Sequence, residues 1–217
     1  MRNLKQCILL LALMLVANLS QAQKAETPDH NYELGAKINE MTITEGGTVV
    51  VATNDGLVGI KPGQDGLLFN FTDYGRVKPE ELTFIPKAPY VMVGQTGFAS
   101  ISSKRAVIDY MSGKIVFTTE SKDWKTIFSC DVFMPQNKLV VSGFQRGGGK
   151  AENVTPKVAV YDLNTGNEDF SFFLMKPGKV TMRSYAVTGT PLLLKNQLLI
   201  PTSQGIIAKS KTGETLW

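Results

Sequence analysis

The sequence predicts an all-β fold, a β-propeller built from four-stranded antiparallel blades, with about four blades present as part of a larger ring. Two observations carry this reading. Beyond the first 22 residues no stretch repeats its apolar residues at helical spacing, and short β-branched runs alternate with turn residues instead. Turn glycines also recur along the chain. Gln64-Asp65-Gly66, Met111-Ser112-Gly113, Asn164-Thr165-Gly166 and Lys211-Thr212-Gly213 follow one another at intervals of 47, 53 and 47 residues. A period of about 50 residues holding about four strands belongs to a propeller blade.

The chain opens differently. Arg2 and Lys5 precede an unbroken apolar run from Ile8 to Ala17, and Ser20-Gln21-Ala22 places small residues where a signal peptidase reads them. A basic start, a short apolar centre and a small-x-small end make residues 1–22 a secretory signal peptide cleaved near Ala22. The run is about half the roughly 20 residues that a membrane span needs, so no membrane insertion is expected after cleavage. No Cys follows at the position a lipid anchor would take. Residues 23–36 are polar and aperiodic and read as a flexible leader. The chain is therefore expected to be periplasmic or secreted.

The repeats then occupy 37–217, with blades expected at approximately 45–87, 88–135, 136–188 and, incomplete, 189–217. Each begins with a β-branched run: Thr48 to Thr53, Tyr90 to Gly94, Lys138 to Gly143 and Gln197 to Pro201. A first turn follows in three copies, with Gly56, Gly97 and Gly205 free to adopt positive φ. The second turn carries Gly66, Gly113, Gly166 and Gly213. Phe117, Phe170 and Trp217 lie four residues beyond the last three of these, where an aromatic fills the gap between stacked blades; in the first copy Phe69 and Phe71 flank that position. Fourth strands are expected at Glu81 to Ile85, Phe128 to Met134 and Arg183 to Val187. The segment Lys37 to Ile43 holds the place of a fourth strand that could close a ring of four. Because the chain ends on Trp217, an aromatic of core type, the expectation is instead the N-terminal part of a larger ring.

Composition excludes several function classes. The 217 residues carry 23 Lys and Arg against 19 Asp and Glu. Without the signal the balance falls to 21 against 19, which makes no electrostatic case for nucleic acid or an anionic membrane. The one His, His30, lies in the leader, so neither a His-based triad nor a zinc site is expected. Cys130 is the only thiol beyond the signal, lies in an apolar strand-like stretch and is expected to be buried. No metal or catalytic residue is assigned.

The third unit replaces its first turn with Phe144 to Pro156, which includes Gly147-Gly148-Gly149-Lys150. A phosphate-binding loop needs Gly and Ser or Thr where this chain has Phe144 and Ala151. The segment therefore reads as a flexible hairpin extension. Its Arg146 and Lys150 are the candidate residues for contacting an acidic partner, since extended loops are where scaffolds carry binding function.

The units Val160 to Phe170 and Ile207 to Trp217 resemble the quinoprotein-type propeller repeat, in which a strand ends near Asp, a Thr-Gly turn follows, and then Lys or Glu and an aromatic. Asn54-Asp55-Gly56-Leu57 is similar to the same family's Asp-Gly turn, and the likeness covers roughly 38–217. The resemblance implies either of two functions. The enzymatic branch holds pyrroloquinoline quinone (PQQ) over the ring axis, and its alcohol-oxidising members add an adjacent Cys pair and a calcium bound by Glu, Asn and Asp. This chain has no adjacent Cys pair. The non-enzymatic branch includes an envelope protein of outer-membrane β-barrel assembly that binds a protein partner. The favoured expectation is an exported cell-envelope scaffold, without a cofactor, that recognises a protein or peptide through blade-end loops. The alternatives are the N-terminal part of a PQQ-dependent dehydrogenase and an extracellular sensor or adhesion module.

Overall fold

The computed structural model describes residues 30–96, 103–134, 136–178 and 187–217. The expected signal peptide, half of the leader and Gly97 lie outside these residues. Fifteen strands among them form four antiparallel sheets, all within the unit Leu34–Trp217. The first sheet runs β1 (Ile38–Ile43), β2 (Val49–Thr53), β3 (Leu57–Ile60) and β4 (Phe69–Phe71). The second runs β5 (Leu82–Phe84), β6 (Tyr90–Thr96), β7 (Ser103–Asp109) and β8 (Lys114–Thr118). The third contains β9 (Trp124–Phe133), β10 (Lys138–Gln145), β11 (Lys157–Asp162) and β12 (Glu168–Phe173). The fourth contains β13 (Leu192–Leu193), β14 (Gln197–Thr202) and β15 (Gly205–Ser210). In every sheet, strands adjacent in sequence are adjacent in space.

The four β-branched runs become β2, β6, β10 and β14, the second strand of each sheet. Alternation splits each run between two neighbours. Val91 and Val93 of β6 face the first sheet, whereas Tyr90 and Met92 face the third. Leu139 and Val141 of β10 likewise face the second sheet, and Val140 faces the fourth. Three apolar cores therefore lie between consecutive sheets. Val50, Ala52, Leu57, Phe69 and Phe71 meet the second sheet, Phe117 meets Leu139 and Tyr161, and Val140, Val158 and Val160 meet Leu198 and Ile200. A strand buried on both faces reads as a continuous apolar run, which is why these segments stand out in the sequence. Consecutive four-stranded meanders stacked face to face in chain order are β-propeller blades.

The phase of the repeat differs from the expectation. Leu82 to Phe84 pairs with β6, so the segment Glu81 to Ile85 opens the second sheet and does not close the first. Phe128 to Met134 similarly falls mostly on β9, which pairs with β10 and opens the third sheet. Of Arg183 to Val187 only Val187 is described, and it bridges Thr202 of the fourth sheet. The segment Lys37 to Ile43, which could have closed a ring of four, supplies β1 and pairs with β2. Sheet limits accordingly fall at 38–71, 82–118, 124–173 and 192–210 where the repeat pattern placed blades at 45–87, 88–135, 136–188 and 189–217. Turn geometry decides this. Ile85 donates its N–H to the Tyr90 carbonyl at 2.9 Å, and Asn137 takes a left-handed φ of 53° before β10, so each segment folds directly onto the run that follows. Beyond β15 the chain turns back onto it, where Leu216 donates to Ala208 O at 2.8 Å and Ala208 donates to Trp217 O at 3.0 Å.

The second-turn glycines have a double role. Gly113, Gly166 and Gly213 take φ of 76°, 75° and 83°. Each also abuts the last strand of the preceding sheet or the residue before it. A Cβ on Gly113 would lie 2.5 Å from Leu68 O, one on Gly166 2.6 Å from Val116 O, and one on Gly213 3.1 Å from Phe172 Cβ. Gly66, in the first sheet, has the same positive φ of 79° but meets nothing within 4 Å. In the first turns, Thr53 Oγ1 donates to Gly56 O at 3.0 Å and Thr202 Oγ1 donates to Gly205 O at 2.8 Å. A threonine three residues before the glycine thus ties off both hairpins.

Candidate functional site

Among the described residues three clefts with polar side chains stand out, and the sequence pointed to one of them. In the inserted segment after β10, Gly148 N–H donates to Asn153 Oδ1 at 3.2 Å, and Asn153 Nδ2 returns a bond to Gly148 O at 3.1 Å. Gly149 N–H donates to Glu152 Oε2 at 2.9 Å, and a short 3₁₀ turn spans Glu152–Val154. These reciprocal bonds fold the segment back on itself, so the extension expected to be flexible is held as a defined turn. A cleft of about 370 Å³ results, lined by Gln145, Arg146, Gly147, Glu152, Asn153 and Phe173 among others. Arg146 is exposed at this cleft, with its backbone N–H anchored to Asp123 O at 2.7 Å. Lys150 is exposed on the same turn but is not part of the cleft wall. Lys157 lines the floor, where its Nζ donates to Gln145 Oε1 at 2.6 Å and lies 3.8 Å from Glu168 Oε2.

The second cleft lies between the third and fourth sheets and measures about 360 Å³. Its centre is Lys138, whose ammonium sits 2.6 Å from Asp162 Oδ2 and 2.7 Å from Asp169 Oδ2. The Lys138 ammonium and the Thr165 N–H hold the Asp162 carboxyl down at about 2, and the two carboxylates push Lys138 up in turn. Lys195 and Lys211 stand on the other wall. With its charges already paired, this triad joins three strands of one sheet.

The third cleft, about 380 Å³, was not signalled by any motif. It wraps over β9, an edge strand of the third sheet, and takes residues from three sheets. Met92 and Arg105 come from the second, Phe128 to Asp131 from β9, and Val187 to Thr190 from the approach to β13. A bulge at Phe128, where Ser142 pairs with Ser129 but Gly143 pairs with Ile127, resets the alternation along β9. A Cβ on Gly143 would overlap the Thr126 carbonyl oxygen, so the bulge needs glycine opposite it. Past the bulge, Cys130 packs into the core against the second sheet, while Asp131 shares the face of its partner Val140, toward the fourth. Thr190 Oγ1 stands 3.4 Å from Asp131 Oδ1, the outer limit of a hydrogen bond, the Ser129 hydroxyl also bonds to this carboxyl, and Asp131 Oδ2 is buried with no partner among the described residues. Burial pushes this carboxyl above the usual range. An acid inside the apolar stretch Ile127 to Phe133 is the one trace of this cleft in the sequence.

The repeat residues hold the scaffold for these clefts. Phe117 is buried, its ring centroid 5.2 Å from that of Tyr161, and Phe170 is half-buried beside Phe172. Trp217 departs from the expected inter-blade filling and is 63 % exposed. Among the described residues no group of three or more His, Cys, Asp or Glu is placed to hold a metal ion.

No family model and no curated protein matches the chain. Solved structures similar to it include a europium-containing methanol dehydrogenase, at 13% identity and a TM-score of 0.46, over 82% of this chain and 40% of that one. The β-propeller domain of the Trilobed protease from Pyrococcus furiosus, described with an open velcro topology, follows at 13% identity and 0.41, over 84% of this chain and 57% of that one. The Dos1 propeller is similar at 10% identity and 0.34, over 84% and 69%. The chain thus spans less than two thirds of the first two. The fold rests on the strand order and the three stacked cores.

Proposed function

We propose that this chain is an exported β-propeller binding scaffold of the cell envelope, which recognises an acidic peptide segment of a partner protein through the loop after β10. One observation carries the reading. The inserted segment 146–156 is the longest departure from the repeat's tight first turn, and its own side chains fold it into a cleft with Arg146 at the wall. A guanidinium at the rim of a preformed cleft suits a carboxylate, because its N–H donors match the two oxygens in a forked geometry. Lys150 on the same turn adds a second positive charge. Phe173 in the wall gives an apolar contact for the neighbouring side chain.

Selection of peptides from a random display library on the mature chain tests this. Peptides enriched in Asp and Glu, bound at least tenfold more weakly by the Arg146→Glu, Lys150→Glu double variant, are the expected result. Enrichment that ignores charge, or that survives the double variant unchanged, overturns it. A quinone absorbance in protein reconstituted with PQQ, together with dye-linked alcohol oxidation, replaces the scaffold reading with the dehydrogenase one. Export through residues 1–22 is tested by fusing them to a reporter enzyme that is active only outside the cytoplasm.

A further inference from the structure

Asp131 is held in an unfavourable state that no contact among the described residues requires. One oxygen is buried without a partner among the described residues, and the carboxyl is otherwise held by the 3.4 Å contact with Thr190 and by the neighbouring Ser129 hydroxyl. Leaving a buried acceptor unpaired costs on the order of 1–3 kcal/mol, and more when the group is charged. Val140, its cross-strand neighbour, faces an apolar core, so a small apolar residue would fit the same face without that cost. A deficit of this kind is expected where a bound molecule supplies the missing donor.

The rest of the cleft defines that molecule. Arg105 lines it from the second sheet. Its Nη1 donates to Lys104 O at 2.8 Å and to Gln95 O at 3.2 Å, which fixes the guanidinium and uses two of its five N–H donors. No ion pair joins Arg105 to Asp131, so the cleft presents a separate positive and a separate negative pole. Met92, Phe128 and Val187 supply apolar wall, and Ser129, Thr188 and Thr190 supply hydroxyls. A simple cation would meet Arg105, and a simple anion would meet Asp131. A metal ion would find one carboxylate where it needs several oxygen ligands. A volume of about 380 Å³ is at the lower end of the roughly 300–1,000 Å³ of small-molecule sites.

We propose that this cleft binds a free α-amino acid with an apolar side chain, its ammonium on Asp131, its carboxylate on Arg105, and its side chain against Met92, Phe128 and Val187. Thr190 yields its loose contact so that the ammonium reaches the carboxylate, and the ligand then completes both poles. This site goes beyond the peptide-binding loop and stands or falls separately from it.

Titration calorimetry of the mature chain at neutral pH tests the proposal with L-leucine, isoamylamine, which keeps only the ammonium, and 4-methylpentanoate, which keeps only the carboxylate. The expected result is saturable leucine binding, with each one-ended analogue at least tenfold weaker. Asp131→Asn is expected to lose leucine binding at least tenfold while unfolding at the same or a higher temperature than the parent, since it removes a buried, underpaired charge. A role confined to the fold would lower that temperature instead. Absence of leucine binding up to about 10 mM, far weaker than a millimolar site, overturns the proposal. So does leucine binding that Asp131→Asn leaves intact, or isoamylamine binding as tight as leucine.

Discussion

The indole N–H of Trp124 donates to the hydroxyl of Tyr161 across 3.0 Å, and both side chains are buried. Trp124 begins β9 and Tyr161 lies on β11, so the bond passes behind β10 and ties the two strands that flank it. Phe117 of the second sheet packs on the Tyr161 ring, and burial pushes the Tyr161 hydroxyl above its usual range, so it stays protonated. One polar contact thus sits at the centre of the apolar core between the second and third sheets.

Replacing Trp124 by Phe leaves the Tyr161 hydroxyl without its donor in that core. The expected loss is about 1–3 kcal/mol from the unpaired group, with the lost indole volume added. Tyr161→Phe alone leaves the indole N–H unpaired at a similar cost. The double variant is expected to lose less than the two single losses together, because neither orphan then remains. Urea unfolding of the four proteins checks this, and strict additivity would show that the bond contributes nothing.

The second-turn glycines give a graded series. Gly166→Ala places a methyl group in the left-handed region and 2.6 Å from the Val116 carbonyl. Left-handed strain of about 1–2 kcal/mol adds to an overpacking cost of about 1–3 kcal/mol. Gly113→Ala is expected to match it, since its Cβ would lie 2.5 Å from Leu68 O. Gly66→Ala carries only the strain, because its Cβ position is open. Thermal unfolding should therefore rank Gly66→Ala as the mildest of the three, and equal losses would mean that contact with the preceding sheet is unimportant.

What could be read from sequence divides along the same line. Positive-φ turns and doubly buried strands are local demands, so Gly113, Gly166 and the runs around Val91 and Val140 announce themselves. The phase of the unit is not local. Whether Leu82 to Phe84 ends one sheet or begins the next depends on which link folds back tightly: the short link 85–89 returns it to β6, while the longer link 72–81, with Tyr74 and Val77 buried in the core, separates it from β4. Asp131 left only one trace in the sequence, an acid within an apolar stretch, for a related reason. Its burial is set by a segment around Thr190, which lies 59 residues away in the chain. The Gly-Gly-Gly-Lys string gave the location of a cleft but not its order, which comes from Asn153 and Glu152 bonding back to the glycine backbone.

Acid should weaken the fold at the Lys138 triad. The Lys138 ammonium and the Thr165 N–H hold Asp162 at about 2, below its ordinary value of 3.8. A carboxyl lowered on folding stabilises the fold fully above its ordinary value, and that contribution is lost as pH falls through about 4 toward about 2. Asp162→Asn can still accept the N–H groups of Asn164 and Thr165 but no longer pairs with the ammonium. Its melting temperature is expected to be lower than the parent's at pH 7 and to fall less steeply below pH 4. Parallel acid slopes for the two proteins would remove Asp162 from the account.

Cys130 is expected to be inert until the structure opens. Burial pushes its thiol from 9.0 up to about 12, against a smaller pull from Arg105. The thiolate is the reactive form, so at pH 8 the native protein should react with a disulfide reagent orders of magnitude more slowly than the same protein in denaturant. A group raised on folding stabilises the fold below its unfolded value, and that contribution is lost as pH rises through the folded one. Melting temperatures should accordingly decline between about pH 9 and about pH 12, and Cys130→Ala should flatten this decline while losing some packing at every pH. Rapid labelling of the native thiol at pH 8 would place Cys130 at an open surface of the Asp131 cleft and contradict its burial against the second sheet.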